Sequence, residues 1–241
     1  MKRIVFPALL TLALTGCQTD TSKPWNPAAY EAEQHAKGAA ILADCVATRC
    51  KTLNLDSKGL ADYAGLGGLS HLSALMISYT NFSDLGQING LTQLDELHIG
   101  ATRVTDLSPL PQFRNLKLLH IQDLDAVSFA PVARMTRLEE LAIGSSHFDD
   151  TSLLRGLTRL KVLDLSYSNV TDLSGLRGHK SLERLDLLGT QPKDLAPLLT
   201  LKRLKSVSLD DLSITPAMRP LIAALRAKGV EVVEIENVVV C

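Results

Sequence analysis

Aromatic side chains make up only 4% of the 241 residues, so the interior must be aliphatic rather than built around rings. Neither sign of charge dominates. The formal net charge is −1, and it becomes −3 once Lys2 and Arg3 are removed with the leader described below. That balance argues against nucleic acid as a partner, because such binding rests on neutralising phosphates. No apolar run is long enough to span a bilayer. His-Glu-x-x-His, paired Cys-x-x-Cys and Gly-x-Ser-x-Gly motifs are all missing, and the Gly65–Gly68 run matches no nucleotide fingerprint. We therefore expect no catalytic residues, no metal, no cofactor and no enzyme activity.

The first residues have the layout of an export signal. Lys2 and Arg3 precede an apolar stretch of 11 residues from Ile4 to Leu14. The run Leu14-Thr15-Gly16-Cys17 resembles the bacterial lipobox, whose cysteine is acylated after cleavage. The resemblance implies a signal peptide at 1–16, lipid on Cys17 and a tether over 17–26. Several acyl chains on one residue give stable anchoring, where one chain alone is marginal. Gln18 follows the cysteine, and in families with this signal a residue other than Asp there implies the outer membrane, on its periplasmic side or at the surface.

What the chain has in abundance is a period. Leu72, Leu94, Leu116, Leu138, Leu160, Leu182 and Leu204 stand 22 residues apart, with Cys50 one period earlier. Three residues after each come Leu53, Leu75, Leu97, Leu119, Leu141, Leu163, Leu185 and Val207. Two further on come Leu55, Ile77, Ile99, Ile121, Ile143, Leu165, Leu187 and Leu209. A long helix with an 11-residue repeat would share this period. The Leu-x-Leu step alternates as a strand does, however, and helix-poor residues such as those at 78–81 recur mid-unit.

Compare Leu94-Asp-Glu-Leu-His-Ile-Gly-Ala-Thr-Arg-Val-Thr-Asp-Leu-Ser-Pro-Leu110 with Leu160-Lys-Val-Leu-Asp-Leu-Ser-Tyr-Ser-Asn-Val-Thr-Asp-Leu-Ser-Gly-Leu176. These units resemble the 22-residue leucine-rich repeats of internalin-like bacterial surface proteins. The resemblance implies an α/β solenoid: a right-handed superhelix of about eight repeats over 50–214, with a parallel concave sheet. A helical cap is expected at 27–49, opened by Asn26-Pro27, and a helix–strand cap at 215–241, with the helix from Met218 to Lys228 and the strand over Val230–Val233. The family's inward Asn is replaced here by Thr80, Thr102, Ser146, Ser168 and Thr190, and by Lys58, Leu124 and Leu212. Leucine offers no hydroxyl, so irregular turns are expected in the fourth and eighth units. The column Asp62, Asp84, Asp106, Asp150, Asp172 and Asp194, with Ser128, reads as caps of convex helical turns rather than as metal ligands.

Cys45 and Cys50 stand at the junction of cap and first strand. In an exported chain a disulfide is expected there, the alternative being two buried thiols. Cys241 lies too far along the stack to reach them and is either free or paired between chains. His71, His147 and His179 fall on turn or convex positions and read as solvated or partly packed. His98 and His120 occupy adjacent outward positions about 5 Å apart, with Glu96 beside them; an exposed pair is favoured over a metal site. The candidate partner-binding concave face comprises Met76, Tyr79, Glu96, His98, His120, Asp123, Glu140, Asp164, Tyr167, Arg184, Asp186 and Asp210. It is acidic, with two tyrosines as anchors, so the expected partner is a protein, basic in character, with a glycan less favoured. The leading expectation is an envelope-anchored binding protein. Alternatives are a periplasmic inhibitor or immunity protein that neutralises a toxin or hydrolase, and a structural envelope component.

Overall fold

The computed structural model describes residues 26–235. The expected leader, the lipid-bearing Cys17 and Cys241 lie outside the described residues. Asn26 accepts a hydrogen bond from the amide of Ala29, and Pro27 needs no amide partner at the first helical position, so α1 (Pro27–Thr48) begins at that pair. It stops at Arg49, whose φ of 52° turns the chain, and Cys45 and Cys50 are disulfide-bonded with Cα atoms 4.8 Å apart.

One parallel sheet follows, its strands in chain order: β1 (Thr52–Asn54), β2 (Ala74–Met76), β3 (Glu96–His98), β4 (Leu118–His120), β5 (Glu140–Ala142), β6 (Val162–Asp164), β7 (Arg184–Leu187), β8 (Ser206–Asp210) and β9 (Glu231–Ile235). The register advances by 22 residues per strand as far as β8: Leu53 faces Leu75, Leu75 faces Leu97, and so on to Val207. The two aliphatic columns therefore stack on themselves and are almost wholly buried. A single rung would leave its leucines half wet; stacking covers them on both sides.

Closing each rung requires a sharp turn just past the strand. Ser57, Tyr79, Ala101, Asp123, Ser145 and Tyr167 take φ values of 50° to 60°, and Gly189 takes 68°. For a residue with a Cβ this costs about 1 kcal/mol. The turn offsets that cost by continuing the ladder: the amides of Ser57, Tyr79 and Tyr167, for example, donate to Ser78, Gly100 and Leu188 on the next rung at 2.7–3.0 Å. The inward hydroxyls complete the turn. Thr80, Thr102, Ser146, Ser168 and Thr190 each donate to the carbonyl three residues back, at 2.5–2.8 Å. Thr80, Thr102 and Ser146 also accept from the amide two residues on.

The expectation of two irregular turns is half corrected. In the fourth unit Asp123 keeps the left-handed turn and Leu124 is simply buried in the hydroxyl's place. The eighth unit does depart: Asp211–Ser213 forms a 3-10 turn and Leu212 is 78% exposed. The chain there leaves the 22-residue path for the C-terminal cap.

Across the convex side each rung makes a 3-10 turn, and the aspartate column caps it as expected. Asp62, Asp84, Asp106, Asp150, Asp172 and Asp194 each accept from the amide two residues on, and Ser128 does the same with its hydroxyl. At the edge where strands begin, one position alternates in sign from rung to rung. Asp95 pairs with Lys117 at 3.1 Å, Glu139 with Lys161 at 2.6 Å and Glu183 with Lys205 at 2.6 Å.

The C-terminal cap seals the last rung. α2 (Arg219–Ala227) begins one residue later than Met218, after a turn in which the amide of Met218 bonds to the carbonyl of Thr215. β9 likewise runs on past Val233 to Ile235, because its pairing with β8 extends to Asp210. Glu234 faces Leu209, in the column that is Leu or Ile in every earlier rung. Arg219 and Arg226 meet its two oxygens at 2.6 and 2.7 Å, so the apolar column ends in a satisfied charge.

Truncating Leu119 to Ala in the middle of the stack is expected to cost roughly 3–5 kcal/mol in urea denaturation. Replacing Thr190 by Val, which removes a hydroxyl and keeps the shape, is expected to cost about 1 kcal/mol in the same measurement.

Candidate binding surface

Outward side chains of the strands form one open face. Its central patch comes from three neighbouring strands. His98 Nε2 lies 2.8 Å from Glu96 on its own strand, and His120 Nε2 lies 3.0 Å from Glu140 on the next. The two rings are 4.2 Å apart between centroids, with Met76 alongside His98 in register. Glu96 thus holds an imidazole by a hydrogen bond, and among the described residues no group of three or more His, Cys, Asp or Glu side chains is arranged to hold a metal ion. Burial holds the His98 imidazole below its ordinary value; His120 pushes it the same way, and Glu96 offsets part of this.

A second patch lies three rungs further on. Asp164 and Asp186 face each other in register, and neither forms an ion pair among the described residues. Arg184 is exposed next to them without closing on either. Each aspartate also accepts a backbone amide, from Ser166 at 2.8 Å and from Leu188 at 2.9 Å. They are therefore turn-forming residues as well as surface charges. Burial pushes the Asp186 carboxyl up, its bond to the Leu188 amide works against this, and Asp164 adds to the rise.

The tyrosines occupy the left-handed turn positions. Tyr79 is 71% exposed and Tyr167 56% exposed. The Tyr167 ring lies over Gly189, where any Cβ would collide with it. Asp123 shares the same edge and lines an open groove of about 480 Å³ with Tyr167, Ser145 and Asn169.

Two sequence expectations fail here. Asp210 does not belong to the exposed face: it is 8% exposed, at the phase of Ser78, Gly100 and Gly144, which are also buried, and its carboxylate caps the amide of Leu212. His179 is neither solvated nor only partly packed. It fills a core column otherwise made of Phe113, Met135, Leu157 and Leu201, is 7% exposed and bonds through Nε2 to the carbonyl of Leu157 at 2.9 Å. The 22-residue spacing from Leu157 was the signal that places it there. Burial pulls its imidazole down, partly opposed by that hydrogen bond.

The family model for leucine-rich repeats in two copies matches residues 158–200, and the model for the prokaryotic membrane lipoprotein lipid attachment site matches residues 1–18. The chain is a bacterial lipoprotein built of leucine-rich repeats. Among solved structures it is similar to the internalin InlF of Listeria monocytogenes, at 23% identity and TM-score 0.65, covering 79% of this chain and 57% of that one. It is also similar to internalin C2 of the same organism, at 24% identity and TM-score 0.67, covering 78% and 80%. The plant peptide hormone receptor RGFR1, solved in complex with RGF2, is more distant: 15% identity, TM-score 0.50, 61% of this chain and 26% of that one. This chain thus spans little more than half of the InlF chain. No curated protein matches the chain significantly. At these identities the likeness establishes the solenoid fold. Together with the lipid attachment site it defines a lipid-anchored protein of the bacterial envelope whose repeat domain fits an interaction role.

Both His98 and His179 favour the neutral imidazole in the folded state. The stability this confers is present above the ordinary value of about 6.5 and is lost as the pH falls through the lower folded value. Thermal melts between neutral pH and about pH 5 should show that loss. His179→Leu restores the column's usual residue, and Leu157's carbonyl keeps its bond from the amide of Leu160. This variant is expected to have a flatter pH profile and a higher Tm at the acid end.

Proposed function

We propose that this lipoprotein is an envelope-tethered docking module whose outward sheet face, from Met76 to Asp186, binds a protein presenting basic side chains. The observation that carries the reading is the pairing of two largely exposed tyrosines with in-register carboxylates that no cation neutralises among the described residues. Solvent-exposed aromatics held by a rigid backbone offer contact area at low entropic cost, and unpaired acids steer a basic partner. Tyr79 and Tyr167 stand four rungs apart, about 19 Å, enough for a peptide segment or a protein edge to lie between them. The plant peptide hormone receptor solved in complex with RGF2 supports a binding role for a domain of this fold. We place the module at the outer membrane on the basis of Gln18 after the acylated cysteine. The lipid keeps the face close to the membrane, and the partner is an envelope or surface protein.

Affinity capture from envelope extracts, with wild-type and variant chains compared side by side, tests this reading. Tyr79→Ala and Tyr167→Ala are each expected to weaken capture of the specific partner at least tenfold. Asp164→Asn with Asp186→Asn removes charge and keeps the oxygen that each turn amide needs. It should weaken capture and its salt dependence without lowering Tm. A partner retained equally by all variants would remove this face from consideration.

A further inference from the structure

A basic concavity lies off the sheet face, at the edge where strands begin. A groove of about 590 Å³ opens between the third and fourth rungs, with Phe113 and Met135 at its base. Its charged side chains are Arg114, Arg134 and Arg137, and no carboxylate lines it. The 22-residue offset explains the convergence. Arg114 is contributed by the lower rung, Arg134 and Arg137 by the upper one, and Asn115 sits directly below Arg137.

The repeat pattern makes this groove an exception. At the position of Arg134 the other rungs carry Gly68, Gly90, Gly156 and Gly178, with Thr200 near the end and Gln112 immediately before. A small residue is the rule there, and a guanidinium replaces it only on this rung. Arg137 is held by Asn115 Oδ1 at 2.7 Å, which pre-orients its fork. The side chains of Arg114 and Arg134 have no hydrogen bond or ion pair among the described residues. Along this edge Lys117, Lys161 and Lys205 are each matched by an acid, whereas Arg159, Lys180 and Lys202 form no ion pair among the described residues; what sets Arg114, Arg134 and Arg137 apart is that all three line one groove. Three guanidiniums sharing a groove without a counter-charge repel one another, and a bound oxyanion relieves that repulsion.

We propose that the Arg114–Arg134–Arg137 groove is a binding site for a phosphoryl group. Planar forks from two rungs suit bidentate contacts to its oxygens, and the volume suits a small head group or metabolite-sized ligand rather than an extended chain. The group has two sources, a soluble phosphoryl compound or a phospholipid headgroup. The start of α1 lies against Ser57 and Tyr79, at the opposite edge of the sheet. A helix of 22 residues is about 33 Å long. The groove opens at the other edge, away from the start of α1, which favours the soluble source.

Titration calorimetry on the full lipidated chain in neutral detergent tests the site, with inorganic pyrophosphate as one probe and dihexanoyl-phosphatidylglycerol as the other. Saturable binding of pyrophosphate is expected, weakened about tenfold by Arg114→Gln and abolished by Arg114→Gln with Arg134→Gln and Arg137→Gln. Binding of the lipid probe alone, lost in the same variants, supports the site with the headgroup as its source. All three residues are exposed, so an unchanged Tm verifies that the variants fold. The proposal is overturned if neither probe binds, or if the triple variant binds as the wild type does.

Discussion

Every other feature of this molecule depends on the requirement that each rung hand its backbone hydrogen bonds and its apolar face to the next. No rung is a folding unit by itself. Its strand is three to five residues long, and its leucines are covered only when another rung lies above and another below. That requirement fixes the climb of the chain at one strand spacing per 22 residues. It also forces the left-handed turn that recurs from Ser57 to Gly189, because only a sharp corner returns the chain to the convex side while the turn amide reaches the next rung. The inward hydroxyls and the capping aspartates are subordinate to it: both satisfy backbone groups that the corners expose.

Stacking also sorts the charges. A residue repeated at one phase of the period becomes a line of side chains at one place on the solenoid. The alternation of Asp95, Lys117, Glu139, Lys161, Glu183 and Lys205 becomes a row of ion pairs, and the acids at the convex turns become caps. Departures from a column then mark places with another role. Glu234 in the inward column ends the core, Arg134 in a glycine column opens a basic groove, and His179 in an apolar column places a titratable ring in the interior.

Much of this was legible in the chain itself, because a solenoid makes sequence distance and spatial distance nearly proportional. Knowing the phase of His98 and His120 was enough to place them side by side, and knowing the phase of Asp106 was enough to make it a cap. Legibility failed where the phase is misjudged or a neighbour outside the period intervenes. Asp210 reads as part of the exposed face, yet it shares the phase of Ser78, Gly100 and Gly144, all buried, and its carboxylate caps the amide of Leu212. Asp164 and Asp186 read as free surface charges, but each oxygen also faces an amide two residues on, which column counting does not reveal.

The periodic leucines by themselves determined the solenoid, the strand register and the two faces of the sheet, since a fixed spacing of apolar residues has one way to bury itself in such a stack. The Leu-x-Gly-Cys run in the same way determined the membrane anchor. Only the tertiary structure decided which polar groups remain unsatisfied. It engaged both aspartates of the sheet face in turns and brought arginines from two rungs together without an acid among them. Hydrogen-bond satisfaction and charge neutralisation depend on contacts of a few ångströms between side chains, and these are set only when the rungs are stacked.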